Sequence, residues 1–142
     1  MSDSDNRDEE TWCAIQRLQV IAYLEEQGLH HGDVGEWPAW HLAPYVSVWA
    51  IDSLKSPGWV GWWAICGDLP TDYISAGAMR HPRDAVRGIA NRWLEAVTFL
   101  QKGQQHPDFT FENQDAQQLA TLLETRAKTL REWTENDTLW PE

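Results

Sequence analysis

The sequence predicts an α+β fold, with a three-stranded antiparallel sheet packed against one N-terminal and two C-terminal helices. Three consecutive segments rich in β-branched and aromatic residues, 45–52, 59–66 and 72–76, are joined by short turns, which favours antiparallel pairing. Helical periodicity occurs outside these segments, and this segregation is typical of the α+β class. The chain has 142 residues, 42% of them hydrophobic, which is enough to bury one core.

The first helix is predicted to start at Glu9 and to end before Gly28, because glycine commonly terminates helices. Apolar residues recur at helical spacing in this segment, at Ala14, Leu18, Ile21 and Leu24. Residues 1–8 are polar and acidic. We therefore expect a flexible acidic N-terminus over residues 1–8, followed by a single domain over residues 9–142.

The 59–66 strand is predicted to be central, since short turns connect it to both neighbours. Apolar residues occupy both alternating positions in the first two strands, which indicates a sheet covered on both faces. The preceding segment, "GLHHGDVGEWPAWHLAP", contains too much glycine and proline for regular structure and is predicted to be a long ordered loop.

Two further helices are predicted after the sheet. The second begins at Pro82, because proline is favoured at the first helical position, and the third begins at about Asn113, a suitable N-cap residue. Their apolar stripes comprise Val86, Ile89, Trp93, Val97 and Leu100, then Leu119, Leu123, Ala127, Leu130 and Trp133. Leu139 and Trp140 indicate that the C-terminal tail folds back.

Charge and cysteine content limit the classes of partner. The formal net charge is −11, from 22 acidic and 11 basic residues, and such a surface repels nucleic acid and anionic lipid. A secretory signal and a long apolar segment are both missing from the sequence, and Cys13 and Cys66 lie far apart. We expect a cytoplasmic protein with no cofactor and no metal, which binds neither nucleic acid nor membrane.

The segment "GDLPTDY" raises the question of a catalytic site. Gly67 permits unusual backbone angles, Asp68 can accept hydrogen bonds from the backbone, and proline fixes a dihedral angle, so every residue type suits a turn. The functional alternative places Asp68, Thr71 and Asp72 around a pocket at the end of the sheet, as hydrogen-bonding or general-base groups. The structural interpretation is favoured, although a turn can also line a pocket.

The histidine and cysteine residues indicate a metal or catalytic site less clearly than the segment "GDLPTDY" does. His30, His31 and Asp33 in "HHGD", with His41 further on, lack the spacing of a zinc site and are interpreted as loop residues. Cys66 follows an apolar strand, but a turn follows it rather than a helix whose N-terminus could activate the thiol. We therefore interpret Cys66 as a buried core residue.

The segment "RHPRD" gives the clearest indication of a small ligand. It places Arg80 and Arg83 at the start of the second helix, where an anion would meet two guanidinium groups and unpaired backbone N–H groups. The alternative is that these arginines pair with Asp68, Asp72 or Asp84.

Ten tryptophans are difficult to bury completely in a domain of this size. Trp37, Trp40, Trp59 and Trp62 lie in or near predicted loops and could form an exposed apolar patch, which is typical of partner or ligand surfaces. Alternatively, the long loop covers the sheet and these rings pack on each other.

The segments "PYVSVWAIDSLKSPGWVGWWAICGDLPTDYI", "HPRDA" and "TRAKTL" resemble a family of small proteobacterial proteins that is classified as a domain of unknown function. The resemblance covers the chain apart from its acidic N-terminus, and the stretch "GWWAICGDLPTDYI" marks it. It implies a bacterial cytoplasmic domain and supplies no catalytic residues.

Two functions follow from these observations. The favoured one is a non-enzymatic binding or protein-interaction domain, with a basic protein or a second copy of the chain as partner. Its surface would comprise Trp37, Trp40, Asp68, Thr71, Asp72, Arg80 and Arg83. The alternative is a small-molecule enzyme, for example a hydrolase, in which Asp68 or Asp72 acts as base and Arg80 or Arg83 holds an anionic group.

Overall fold

The computed structural model describes residues 3–56, 58–102 and 116–140. It consists of α1 (Asp3–Glu26), β1 (Trp40–Leu42), β2 (Val46–Asp52), β3 (Val60–Gly67), β4 (Leu69–Ser75), α2 (Pro82–Gln101), α3 (Ala116–Glu135) and a 3-10 helix (Asp137–Leu139). The chain divides into two compact units, Met1–Ala85 and Val86–Glu142. The α+β class and the three helices are confirmed, whereas the expected single domain and flexible N-terminus stay predictions.

The sheet has four antiparallel strands in the order β1-β2-β3-β4, so the prediction of three strands is wrong. The additional strand, β1, lies inside the segment predicted to be a loop, and Trp40 pairs with Val48. Its three residues carry too short a pattern to stand out between Pro38 and Pro44. The predicted interior position of the 59–66 strand is confirmed, because β3 lies between β2 and β4.

The last strand begins at Leu69 rather than at residue 72. Its early part includes Pro70, so the prediction that this proline belongs to a turn is wrong. A β-bulge separates the pairs Ile65–Asp72 and Gly67–Leu69, and β4 lies at an edge of the sheet. Proline is tolerated there because a bulged edge strand does not need every backbone N–H.

Helix α1 covers one face of the sheet. Val20 and Leu24 pack against Trp49, Ile51 and Ala64 in a fully buried cluster. Residues of the opposite parity in β2 and β3, including Val48 and Ile65, are also fully buried. The prediction that both faces of the sheet are covered is therefore confirmed.

The predicted apolar stripe of α1 is wrong in part. The helix starts at Asp3 rather than at Glu9, and it exposes Ala14 and Leu18, which we expected in the core. Its buried side instead contains Cys13, Gln16, Val20 and Leu24. The predicted end is confirmed: Gly28 has φ +69°, and its N–H donates to Glu25 O at 3.0 Å.

In the second unit, the predicted stripe of α2 is buried at Val86, Ile89, Trp93 and Val97. Helix α3 buries Leu123, Ala127 and Leu130. The predicted N-cap Asn113 lies outside the described residues. The tail folds back as predicted, because Trp140 is 6% exposed and its indole N–H donates to Trp133 O at 2.8 Å.

Candidate functional site

One open cleft lies at the start of β3, where the β2–β3 turn approaches the segment between β4 and α2. Its volume is about 280 Å³. This is just below the range of about 300–1,000 Å³ for drug-sized ligands, so it suits a small molecule. We call it the Arg80 cleft; it is lined by Ser53, Ser56, Trp59, Val60, Gly77 and Arg80.

Backbone hydrogen bonds shape the β2–β3 side of the cleft. The N–H of Ser53 donates to Trp59 O at 2.8 Å, and the N–H of Trp59 donates to Ser56 O at 3.0 Å. The Ser53 hydroxyl also accepts the N–H groups of Lys55 and Ser56, both at 3.2 Å. A serine at the start of a turn commonly makes such bonds, which fix the turn and leave the hydroxyl hydrogen available to a ligand.

Two hydrogen bonds attach the Arg80 side of the cleft to β3. The N–H of Ala76 donates to Gly61 O at 2.9 Å, and the Trp63 indole N–H donates to Met79 O at 3.1 Å. Antiparallel pairing of β3 with β4 brings this segment back to the end of the sheet where β3 begins. Arg80 is thereby held beside the β2–β3 turn.

Arg80 lies over the ring of Trp59, with 4.1 Å between the guanidinium carbon and the ring centroid. Trp59 is 55% exposed, and Arg80 is exposed. A cation–π contact at such a site contributes about 0.5–1 kcal/mol and orients the guanidinium plane. Among the described residues, this guanidinium makes no hydrogen bond or ion pair besides its contact with the Trp59 ring, and Arg80 lines the open cleft.

The geometry does not bring Arg80 and Asp68 together. Arg80 contacts the residue before β3, whereas Asp68 follows the last residue of β3, and an eight-residue strand spans roughly 23 Å. Asp68 lies at the tight β3–β4 bend, where its N–H donates to Tyr45 O at 2.9 Å.

The side chains of Asp72 and Thr71 make hydrogen bonds within the protein. Asp72 is 3% exposed, and its Oδ1 accepts the N–H of Tyr73 at 2.8 Å. The Thr71 hydroxyl donates to the sulfur of Cys66 at 3.6 Å. Neither side chain opens onto the Arg80 cleft.

Cys66 belongs to the core, as the sequence indicated. It is 1% exposed and its thiol donates to Gln19 Oε1 at 3.1 Å. Burial raises the pKa of this thiol above its ordinary value of 9.0, despite the opposing hydrogen bonds from the Thr71 hydroxyl and the Gly67 N–H. A catalytic thiol requires the opposite shift.

The start of α2 holds Arg83, and the anion site expected there stays a prediction. His81 acts as N-cap: its Nδ1 accepts the N–H of Arg83 at 3.0 Å. This bond satisfies one of the backbone donors that an anion would otherwise have met.

The two tryptophans predicted in the long loop have different environments. Trp40 is 8% exposed in β1, whereas Trp37 is 49% exposed. The Trp37 ring packs edge-on against His41, with centroids 5.5 Å apart, and His41 Nε2 pairs with Glu9 of α1. Trp37 is not among the described residues that line the Arg80 cleft, and it packs beside His41, the β1 residue that pairs with α1.

Sequence reasoning missed Ser53, Ser56 and Gly77 as cleft residues. The available signal was topological: in antiparallel order, the β2–β3 turn and the segment after the last strand lie at the same end of the sheet. Within the described residues, no group of three or more His, Cys, Asp or Glu side chains is arranged to hold a metal ion.

Comparison with known proteins agrees with the sequence resemblance. Residues 6–140 match the family described as a domain of unknown function, DUF4826. The chain belongs to this family. No curated protein and no solved structure matches the chain. None of the described helices combines the length and apolar character needed to cross a membrane.

Proposed function

We propose that this DUF4826 protein is a non-enzymatic binding domain that takes the anionic group of a small molecule in the Arg80 cleft. The observation that carries the proposal is Arg80 itself, which is exposed, lies over the Trp59 ring and lines a cleft that Ser53 and Ser56 also line. A stacked guanidinium presents its in-plane N–H groups, which match a carboxylate or phosphate bidentately.

Binding is favoured over catalysis because the acid–base groups are elsewhere. Asp68 lies at the other end of β3, and Asp72 is buried against the backbone of Tyr73. Among the described residues that line the cleft, there is no carboxylate, histidine or cysteine. General acid–base or nucleophilic chemistry needs such a group within hydrogen-bond reach of the reacting atom.

A cytoplasmic location is part of the proposal. Cys13 and Cys66 are both free and buried, which suits a reducing compartment.

To test the proposal, the ¹⁵N-labelled protein is titrated with sodium acetate and, separately, with sodium phosphate. Binding is monitored through the NMR chemical shifts of the backbone amides. We expect saturable shifts at Ser56, Gly77 and Arg80. Arg80→Gln should weaken binding by about tenfold or more, because a charge-assisted hydrogen bond contributes about 1.5–3 kcal/mol and 1.4 kcal/mol is a factor of ten. Arg83→Gln, the matched control, should keep the wild-type affinity.

The proposal fails if neither anion produces saturable shifts in the cleft, or if Arg80→Gln binds as well as the wild type. Saturable shifts centred on Asp68 or Asp72 would instead favour the enzyme alternative.

A further inference from the structure

Helix α1 has a second apolar face, directed away from the sheet. Leu18 is 65% exposed and Ile15 is 48% exposed, and Ala14 and Ala22 beside them are also exposed. Positions 14, 18 and 22 are four residues apart and therefore form one row along the helix. We call Ala14, Ile15, Leu18 and Ala22 the outer face of α1.

The row has the shape of a helix-packing surface. Its centre is a leucine and its ends are alanines, so a second helix can approach closely on either side of the Leu18 side chain. Rows of residues four apart are the ridges that most commonly fit into the grooves of another helix. The buried side of α1 already holds it against the sheet, which leaves the outer face preformed.

The described exposed charges around this face are of one sign. Among the described side chains of α1, every exposed charged one is acidic. The one described basic residue, Arg17, is half-buried and donates to Val34 O and Gly35 O at 3.0 and 2.9 Å. The acidic residues that lie toward the two ends of the outer face are Asp8, Glu10, Glu25 and Glu26, whereas Glu9 pairs with His41 of β1.

This charge pattern indicates which kind of partner can bind the outer face of α1. An antiparallel second copy would place Glu10 of one chain beside Glu25 and Glu26 of the other, and a parallel copy would align identical carboxylates. An anionic membrane is repelled for the same reason. We propose that the outer face of α1 binds a basic amphipathic helix of another protein. This inference is independent of the Arg80 cleft.

The probe for the test is a fluorescent 18-residue peptide with leucines on one helical face and lysines elsewhere, measured by anisotropy with the full-length protein. We expect saturable binding that weakens as NaCl rises from about 50 to about 500 mM, because exposed charges are screened over that range. The double variant Ile15→Ser/Leu18→Ser should bind about tenfold more weakly or worse, since it removes apolar contact area without changing charge.

Two controls separate this surface from general attraction to an acidic protein. Leu54→Ser removes a leucine that is 57% exposed in the β2–β3 turn and should leave peptide binding unchanged. A peptide with glutamate in place of lysine should not bind. Both serine variants change exposed residues, so they should keep the circular dichroism spectrum of the wild type.

Three results would overturn the inference. The first is peptide affinity unchanged in the double variant, and the second is equal binding of the glutamate peptide. The third is a dimer of the wild type and a monomer of the double variant in sedimentation equilibrium. This result would identify a second copy of the chain as the occupant.

Discussion

Replacing Gly67 by alanine tests the structural role of the β3–β4 bend. Gly67 has φ +147°, a conformation that side-chain-bearing residues rarely adopt. A Cβ atom at this position would lie 2.9 Å from both Tyr45 C and Val46 Cα and would overlap Tyr45 O. The backbone of Tyr45 has little freedom to move, because its carbonyl accepts the N–H of Asp68 and Val46 pairs with Gly67.

The expected cost has two parts. A side chain held in this backbone region costs about 1–3 kcal/mol. The overlap adds to it, because the optimal separation of two carbon atoms is about 3.5–4.0 Å. We expect Gly67→Ala to reduce the free energy of unfolding by about 3 kcal/mol or more.

Gly28→Ala is the matched control for backbone conformation. Gly28 also has positive φ, at +69°, but nothing lies within 4 Å of a Cβ built there. Its substitution should cost only about 1–2 kcal/mol. Urea denaturation of both variants measures the difference. If the two variants lose equal stability, the close approach of the Tyr45 backbone is not a constraint, and the structural interpretation of this bend is wrong.

Two further predictions concern ionisable side chains. In a Cys13→Ala background, iodoacetamide should modify Cys66 much more slowly than it modifies the urea-unfolded chain at pH 7.5, because burial raises the pKa of this thiol. The folded state holds the Cys66 thiol proton more tightly than the unfolded chain does, so the thiol stabilises the fold below pH 9.0. This stabilisation is lost as the pH rises through the folded-state pKa. A free energy of unfolding that stays constant above pH 9.0 would contradict the prediction. His81→Ala should reduce the unfolding free energy by about 1 kcal/mol through loss of the α2 cap, whereas His81→Asn should restore it; equal stability of the two variants in urea would exclude the cap.

The fold class followed from strong local signals. The β-branched and aromatic segments that became β2 and β3 are long enough to dominate their surroundings, and Pro82 begins α2 as its preference for the first helical position predicts. Strand β1 could not be predicted in this way, because three residues between prolines carry almost no periodic signal. Its stability comes from pairing with β2, a contact distant in sequence.

The faces of α1 show a different limit of sequence reasoning. Apolar residues occur all round this helix, so their spacing does not define a single buried side. Leu18 fits a helical repeat as well as Val20 does, yet only Val20 is buried. Tertiary packing decides between them, and the unused apolar positions become the outer face.

Of the residues that line the Arg80 cleft, only Arg80 and Trp59 could be singled out from the sequence. "RHPRD" identified Arg80, but as part of a helix start whose N–H groups would bind an anion. The structure gives that role in part to the ring of His81 and directs Arg80 toward Trp59 instead. Ser53 and Ser56 enter the site through strand pairing, and a single sequence contains no local pattern for that.

A net charge of −11 is compatible with an anion site because the two effects act over different distances. The proposed bidentate contact with Arg80 would act within hydrogen-bond distance, whereas repulsion by exposed carboxylates is screened beyond about 8 Å at physiological ionic strength. We therefore expect a small monoanion to reach the guanidinium, and we expect a polyanion such as nucleic acid, which would extend over the acidic surface, to be repelled. The same acidic surface attracts the basic helix proposed for α1. In the two proposals, the net charge therefore disfavours polyanions at the cleft and attracts a basic helix to the outer face.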